Sequence, residues 1–388
     1  MFNKEANSKE NKPTIRVGLI GHQFMGLAHS NAFRNAAIWY DMPCNIEQTA
    51  VCAKDTEENL QAFADKFGWQ SIETDYQKLC ARDDIDLISV ATPGFLHKPM
   101  VLEAVKNGKH VLCEKPLANT LDDAVEMAEA AEKAGIRHCC GYSYRSTPSQ
   151  ALAKKLIDEG KIGRIYHVFA RYAQDWIVDP NFAMVWRFDK KLAGSGSLGD
   201  ICAHSIDATR FITGLAFTEI VGHLKTMVPE RPLKTDQPDG EKAPVTVDDV
   251  AQFLCAFDNG ATGCFEATRL ATGRKNNNCI EINGEKGSLY WDFEDQNYLY
   301  FYDRTAPAHQ QGFTKINATD AVHPYSGGPW PVGHGIGYAD CFVIEVVNFL
   351  SAIAEGKEYH PDFQDGVAVQ RVLDAVERSA SDKKWVTI

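Results

Sequence analysis

The first 141 residues alternate short β-branched runs with amphipathic stretches that stop at glycines, and few folds accept that alternation. Runs at 15–20, 49–53, 86–91, 110–113 and 137–141 read as strands, with a further short one at 69–72. Stretches at 25–37, 56–67, 96–107 and 121–134 carry helical periodicity. Gly68, Gly108 and Gly135 follow three of these helices, and Thr120 stands at the N-cap position of the last. Strands separated by helices of this length need crossover connections, so the segment predicts a doubly wound parallel α/β sheet.

The pattern changes after residue 145. A helix at 148–159 is followed by strands at 165–174, 219–227, 250–257, 261–268, 279–283, 288–293 and 298–302. Several alternate polar and apolar residues, which predicts an α+β domain whose mixed, mainly antiparallel sheet keeps one open face. A helix at 198–212 interrupts the strands, and helices at 340–354 and 363–379 end the chain. We therefore divide the sequence into a solvated tail (1–13), a first domain (14–144) and a second domain (145–388). Residues 228–245, with four prolines, read as a long loop or subunit arm.

Composition narrows the partners. A net charge of −12 repels phosphate backbones and anionic lipid, so neither nucleic acid nor a membrane surface is expected. No apolar run is long enough to span a bilayer, and the polar N-terminus lacks the apolar core of a signal peptide. Eleven cysteines without a C-x-x-C pair suit buried, reduced thiols in a cytoplasmic protein, and no Cys/His spacing suits a metal.

Function enters at the first strand–helix turn, Gly21-His22-Gln23-Phe24-Met25-Gly26, where a dinucleotide pyrophosphate would meet a helix N-terminus. Gln23 occupies the middle glycine position of G-x-G-x-x-G, and an unliganded glycine turn is the plain alternative. At the end of the second strand, Ala53 leaves a 2′-phosphate unopposed and Lys54 could pair with one. Asp55 belongs to the next helix start, so NAD and NADP both stay open. Thr92, Pro93 and His97 follow the 86–91 strand, and Glu114 and Lys115 follow the next one. Both groups lie at strand C-termini, the ligand side of such a sheet. Lys115 could reach a substrate hydroxyl beside the nicotinamide, or be a solvated lysine. Asp200 and His204 are four apart on a predicted helix, so the carboxylate can orient the imidazole as a general base, or the two form an ordinary helix pair.

The Glu114-Lys115-Pro116 motif, together with Leu198-Gly199-Asp200-Ile201-Cys202-Ala203-His204-Ser205-Ile206-Asp207, resembles the Gfo/Idh/MocA family of dehydrogenases. The similarity spans about residues 14–388. The segments at 26–30, 145–148, 174–176, 186–187 and 335–338 look like those of its sugar and glycoside 3-dehydrogenase members. Gln23 and Gly94, the latter where an asparagine often stands, depart from the family pattern. The resemblance implies an N-terminal Rossmann domain, a C-terminal open sheet, NAD or NADP as cofactor (with NAD preferred), and a homo-oligomer, dimer or tetramer. It also implies a Lys115–Asp200–His204 catalytic constellation.

The expected chemistry is oxidation of a secondary sugar hydroxyl at C3, with His204 taking the proton, Asp200 stabilising the imidazolium and Lys115 the developing alkoxide. A sugar pocket wants polar groups beside an aromatic wall. Tyr144, Arg145, Gln174, Asp175, Trp176, Trp186, Arg187 and His204 are its candidates, with Trp330 and His334 behind them. Two other functions fit the same residues: a redox-assisted glycosidase that regenerates its cofactor, and a nucleotide-sensing protein without turnover.

Overall fold

The computed structural model describes residues 12–237, 240–325 and 330–388. Most of the predicted tail (1–11) and residues 238–239 of the predicted arm lie outside the described residues.

The N-terminal part runs β1 (Thr14–Ile20), α1 (Phe24–Trp39), β2 (Asn45–Cys52), α2 (Glu57–Phe67), β3 (Ser71–Glu73), α3 (Tyr76–Cys80), β4 (Leu87–Val90), α4 (His97–Lys106), β5 (His110–Glu114), α5 (Leu121–Ala134) and β6 (His138–Gly141). Its six strands lie in the order β3-β2-β1-β4-β5-β6, all parallel. The order reverses between β1 and β4, and such a switch point opens a crevice at the strand C-termini where ligands bind. The predicted caps are present: Thr120 Oγ1 accepts from Asp123 N at 3.2 Å, and Gly135 closes α5 with φ +66°.

The second part contains α6 (Pro148–Asp158), β7 (Ile165–Ala173), α7 (Lys190–Ala193), α8 (Ala203–Thr213), β8 (Phe217–Lys225), β9 (Glu230–Pro232), β10 (Lys242–Pro244), β11 (Val250–Phe257), β12 (Thr262–Thr268), β13 (Asn277–Gly284), β14 (Gly287–Asp292), β15 (Tyr298–Asp303), β16 (Phe313–Asn317), α9 (Tyr338–Glu355), α10 (Phe363–Asp382) and β17 (Val386–Thr387). Nine of these strands form one sheet, β16-β15-β14-β13-β7-β12-β11-β8-β17, antiparallel except where β12 runs parallel to β7. The segment expected to be an irregular arm holds a small antiparallel ribbon, β9 with β10. α6, α8 and α10 cover the inner face of the large sheet, which shares one apolar core with α4 and α5.

α9 does not stay with its own sheet. It lies along α1, and its Phe342, Val346, Phe349 and Leu350 fill the same core as Leu19, Phe33 and Ala36 of the Rossmann part. The two parts are thus clasped by a helix from near the C-terminus, which braces the first crossover helix from outside.

Candidate active site

The turn after β1 is shaped by steric necessity. Gly21 has φ +106°, and a Cβ there would lie 2.5 Å from Ala91 O; one on Gly26 would lie 2.2 Å from Gly21 O. α1 can therefore start hard against the strand. Gln23 precedes the helix without capping it, and the first turn carries no acidic residue. By contrast α2 and α5 have side-chain caps and two acids each in their first turns. An uncapped helix start free of carboxylates suits a pyrophosphate, so the residues present fit the dinucleotide that the motif implies. Gln23 turns its side chain instead to His22 (Nε2 to Nε2, 3.3 Å), and His22 pairs with Asp55 at 2.8 Å. The other Asp55 oxygen accepts from Thr56 N and the Asn59 amide, which is the helix-start role expected of it. Lys54 is exposed at the same edge.

Two residues expected at the cofactor turn inward instead. The Glu114 carboxylate is buried and hydrogen-bonded to His29 Nε2 at 2.8 Å, while His29 Nδ1 meets Ser89 Oγ at 2.7 Å. This Ser89–His29–Glu114 chain ties β4, α1 and β5 together beneath the turn. His97 is also buried, with Nε2 2.9 Å from Thr92 O and Nδ1 3.1 Å from Pro116 O. It braces the loops after β4 and β5, and burial holds its pKa below the usual histidine value. Thr92 and Pro93 remain half-exposed at the crevice.

Lys115 leaves the end of β5 and crosses to the second part. Its Nζ donates to the Asp200 main-chain oxygen at 2.5 Å and lies 3.8 Å from Asp200 Oδ1. Asp200 sits on a wide turn, Leu198–Cys202, with i→i+5 hydrogen bonding, which runs into α8. Burial pushes its carboxyl up, but Lys115, Arg269 and Arg187 outweigh burial and hold it below the ordinary carboxylate range.

The expected Asp200–His204 pairing does not form. The Asp200 oxygens face Lys115 and Arg269, the latter at 3.3 Å, and His204 Nδ1 has no partner among the described residues. The wide turn breaks the α-helical spacing on which that expectation rested, and two cations draw the carboxylate away. His204 lies instead against the Tyr144 ring at 4.4 Å, with Tyr142 and Tyr172 about it at 6.1 and 6.0 Å. Burial, and secondarily the Lys115 charge, hold it well below the usual histidine pKa, so the imidazole is neutral.

The aromatic-polar wall is assembled in part. Tyr144 Oη meets Tyr172 Oη at 2.8 Å, Tyr172 donates to Asn276 Oδ1 at 2.6 Å, and Gln174 donates to the same oxygen at 2.9 Å. Trp176 donates to Gln174 Oε1 at 3.1 Å. Trp186 carries Arg187 over its ring at 4.5 Å and reaches Phe95 of the Rossmann part at 6.3 Å, so this pair bridges the crevice. Arg145 is not in the wall: it is buried, forked onto Asp207 at 2.8 and 2.5 Å, and also bonded to Asp365. A guanidinium with two carboxylates is already satisfied and serves the core. Asp175 is tied to Lys275 at 2.7 Å and Gly273 N at 3.0 Å. Trp330 packs on Trp39 of α1 at 5.2 Å, and His334 bonds Pro331 O, so neither stands behind the wall as expected.

Sequence reasoning missed Arg269 and Asn276. Each belongs to a segment that reads as a strand edge or a polar loop, and only the fold brings them to the site.

With this geometry the family is clear: the chain belongs to the GFO/IDH/MocA oxidoreductases, residues 15–142 matching the NAD-binding Rossmann fold and 151–290 the C-terminal domain. Among its relatives, levoglucosan dehydrogenase of Pseudarthrobacter phenanthrenivorans is 39% identical over 384 residues, 96% of this chain and 98% of that one. A solved levoglucosan dehydrogenase in complex with NADH and levoglucosan superposes with a TM-score of 0.92 at 39% identity, covering 97% and 99% of the two chains. An oxidoreductase domain protein from Kribbella flavida reaches 51% identity and a TM-score of 0.93 over the same shares. Glucose-6-phosphate 3-dehydrogenase of Bacillus subtilis is 26% identical over 96% of this chain and 98% of its own. This chain is thus an oxidoreductase with an NAD-binding Rossmann domain, and none of its described helices is long and apolar enough to cross a membrane.

Proposed function

We propose that the protein oxidises a secondary hydroxyl, at C3, of a sugar, anhydrosugar or glycoside. The observation that carries this reading is the meeting of Lys115 from β5 with Asp200 beside the neutral, tyrosine-caged His204. When bound, NAD supplies the hydride acceptor. The likeness to levoglucosan dehydrogenase supports a sugar substrate, and the likeness to a 3-dehydrogenase supports the position.

The chain's own residues then have to remove a proton and stabilise an alkoxide. His204 Nδ1 is buried, so Nε2 is the nitrogen that a substrate can reach and that takes the hydroxyl proton. The Lys115 ammonium stabilises the oxygen as charge develops. Asp200 acts through Lys115 rather than through a bond to His204. Gln174, Trp176, Trp186 and Arg187 form the sugar wall, with hydroxyl partners beside aromatic faces.

Eleven free thiols suit a reducing compartment such as the cytoplasm. A homo-oligomer would cover Phe169, Leu254 and Phe313, exposed on strands of the large sheet, and light scattering reads its mass. The deciding experiment follows reduced-nicotinamide absorbance with NAD, or NADP, and levoglucosan, glucose, inositol and several glycosides, with product analysis. Reduced cofactor with a 3-keto product supports the reading. A flat trace with released aglycone replaces it with a redox-assisted glycosidase, and tight nucleotide binding without turnover replaces it with a sensor.

A further inference from the structure

We infer that Arg269 is the positioning residue that fixes the Asp200 carboxylate toward Lys115. The inference rests on the assignment of Lys115, Asp200 and His204 to the reaction.

Arg269 follows the last residue of β12, and its own N–H is anchored on Asp249 O at 3.3 Å. Its side chain is fully buried beneath the site, 5.5 Å from the Trp176 ring and 5.8 Å from Phe188. From there Nη1 reaches Asp200 Oδ2 at 3.3 Å and Nη2 reaches Asp248 O at 3.4 Å, while Nε has no partner among the described residues. Asp200 is its sole ion-pair partner among those residues. A buried guanidinium needs a counter-charge, and the aromatic walls leave it little room to find another.

The arithmetic of charge explains why this matters. Asp200 faces Lys115 just after β5, Arg269 just after β12, Arg187 from the segment before α7, and the Tyr172 hydroxyl from β7. If Asp200 met Lys115 without Arg269, the two would neutralise each other and Arg187 alone would supply surplus positive charge for an alkoxide. With Arg269 on the other oxygen, Lys115, Arg187, Arg269 and Asp200 together carry two net positive charges instead of one. Arg269 therefore leaves the lysine electrostatically available while Asp200 holds it in place through a main-chain oxygen and a longer carboxylate contact.

The test compares Arg269→Met, Arg269→Lys and Asp200→Asn in the NAD-loaded protein, with Arg269→Gln in reserve should the methionine variant not fold. The protonated-carboxyl infrared band, assigned to Asp200 by its disappearance in Asp200→Asn, is titrated alongside the pH dependence of kcat. Removing an adjacent arginine raises a carboxyl pKa by about 1–3 units. Arg269→Met should accordingly move both the band and the acid limb of kcat upward by that amount, and Arg269→Lys should restore most of the shift. If the neutral variants titrate as the wild type does, Arg269 merely packs and the inference is wrong. Absence of turnover on every sugar would sink the assigned function alone, since the infrared titration still decides the role of Arg269.

Discussion

Two arginine–carboxylate clusters lie at the junction of the two parts, and they differ in how completely they are satisfied. In one, Arg145 is forked onto Asp207 and also reaches Asp365, and only 3% of the Asp207 side chain is exposed. In the other, Asp200 is shared by Lys115 and Arg269 at longer range and keeps 29% of its side chain exposed. The first is closed to solvent around a short two-pronged fork between Arg145 and Asp207. The second has a surplus cation, loose distances and an opening, which are the conditions for meeting a substrate. One cation between two carboxylates makes a rivet, while two cations on one carboxylate, at longer range and partly open, make a reaction site.

Replacing Lys115 with Met should give the largest effect, a fall in kcat of about 10²–10⁴-fold with NADH fluorescence titration and melting temperature unchanged. Near-normal turnover would erase the distinction between the clusters. Arg145→Met should do the opposite. Leaving the buried Asp207 carboxylate without its guanidinium costs about 3–5 kcal/mol in urea unfolding, while kcat of the folded fraction stays close to normal.

His204 sharpens the comparison through pH. Its folded pKa is depressed, so the unfolded chain binds its proton first, and the stabilisation present above about pH 6.5 is lost as pH falls toward the folded value. His204→Gln should remove up to about 1.4 kcal/mol per pH unit from that slope in unfolding measurements below neutrality. The smallest effect belongs to Asp175→Asn. Its carboxylate is occupied by Lys275 and Gly273, so KM and melting temperature should both stay put. A raised KM would move Asp175 into the sugar wall.

How much of this was readable in the sequence depends on how far each cause reaches along the chain. α5 falls on its predicted bounds, Leu121–Ala134, because its periodicity, its threonine cap and its glycine stop are all local. The parallel order of the sheet follows from the same kind of signal. α3 has five residues, too few for a period to register, and β16 is mostly exposed along its length, so neither alternation nor a buried run marks it. The site residues divide in the same way. Lys115 and Asp200 announced themselves by motif, but the partner of Asp200 lies 69 residues away, that of Glu114 is 85 residues earlier, and that of Arg145 is 62 residues later. A four-residue spacing suggested the wrong partner for Asp200, since spacing carries no knowledge of a guanidinium arriving from another strand.

The clasp of α9 on α1 also has a consequence for synthesis. The apolar face of α1 leaves the ribosome about 300 residues before the helix that covers it. At about 5–20 residues per second, that face waits roughly 15–60 s for its cover. A nascent chain stalled or truncated before Tyr338 would carry a nearly complete nucleotide-binding sheet with an unroofed flank, the kind of surface that a chaperone grips. The chain's last helices thus decide when its first domain is finished.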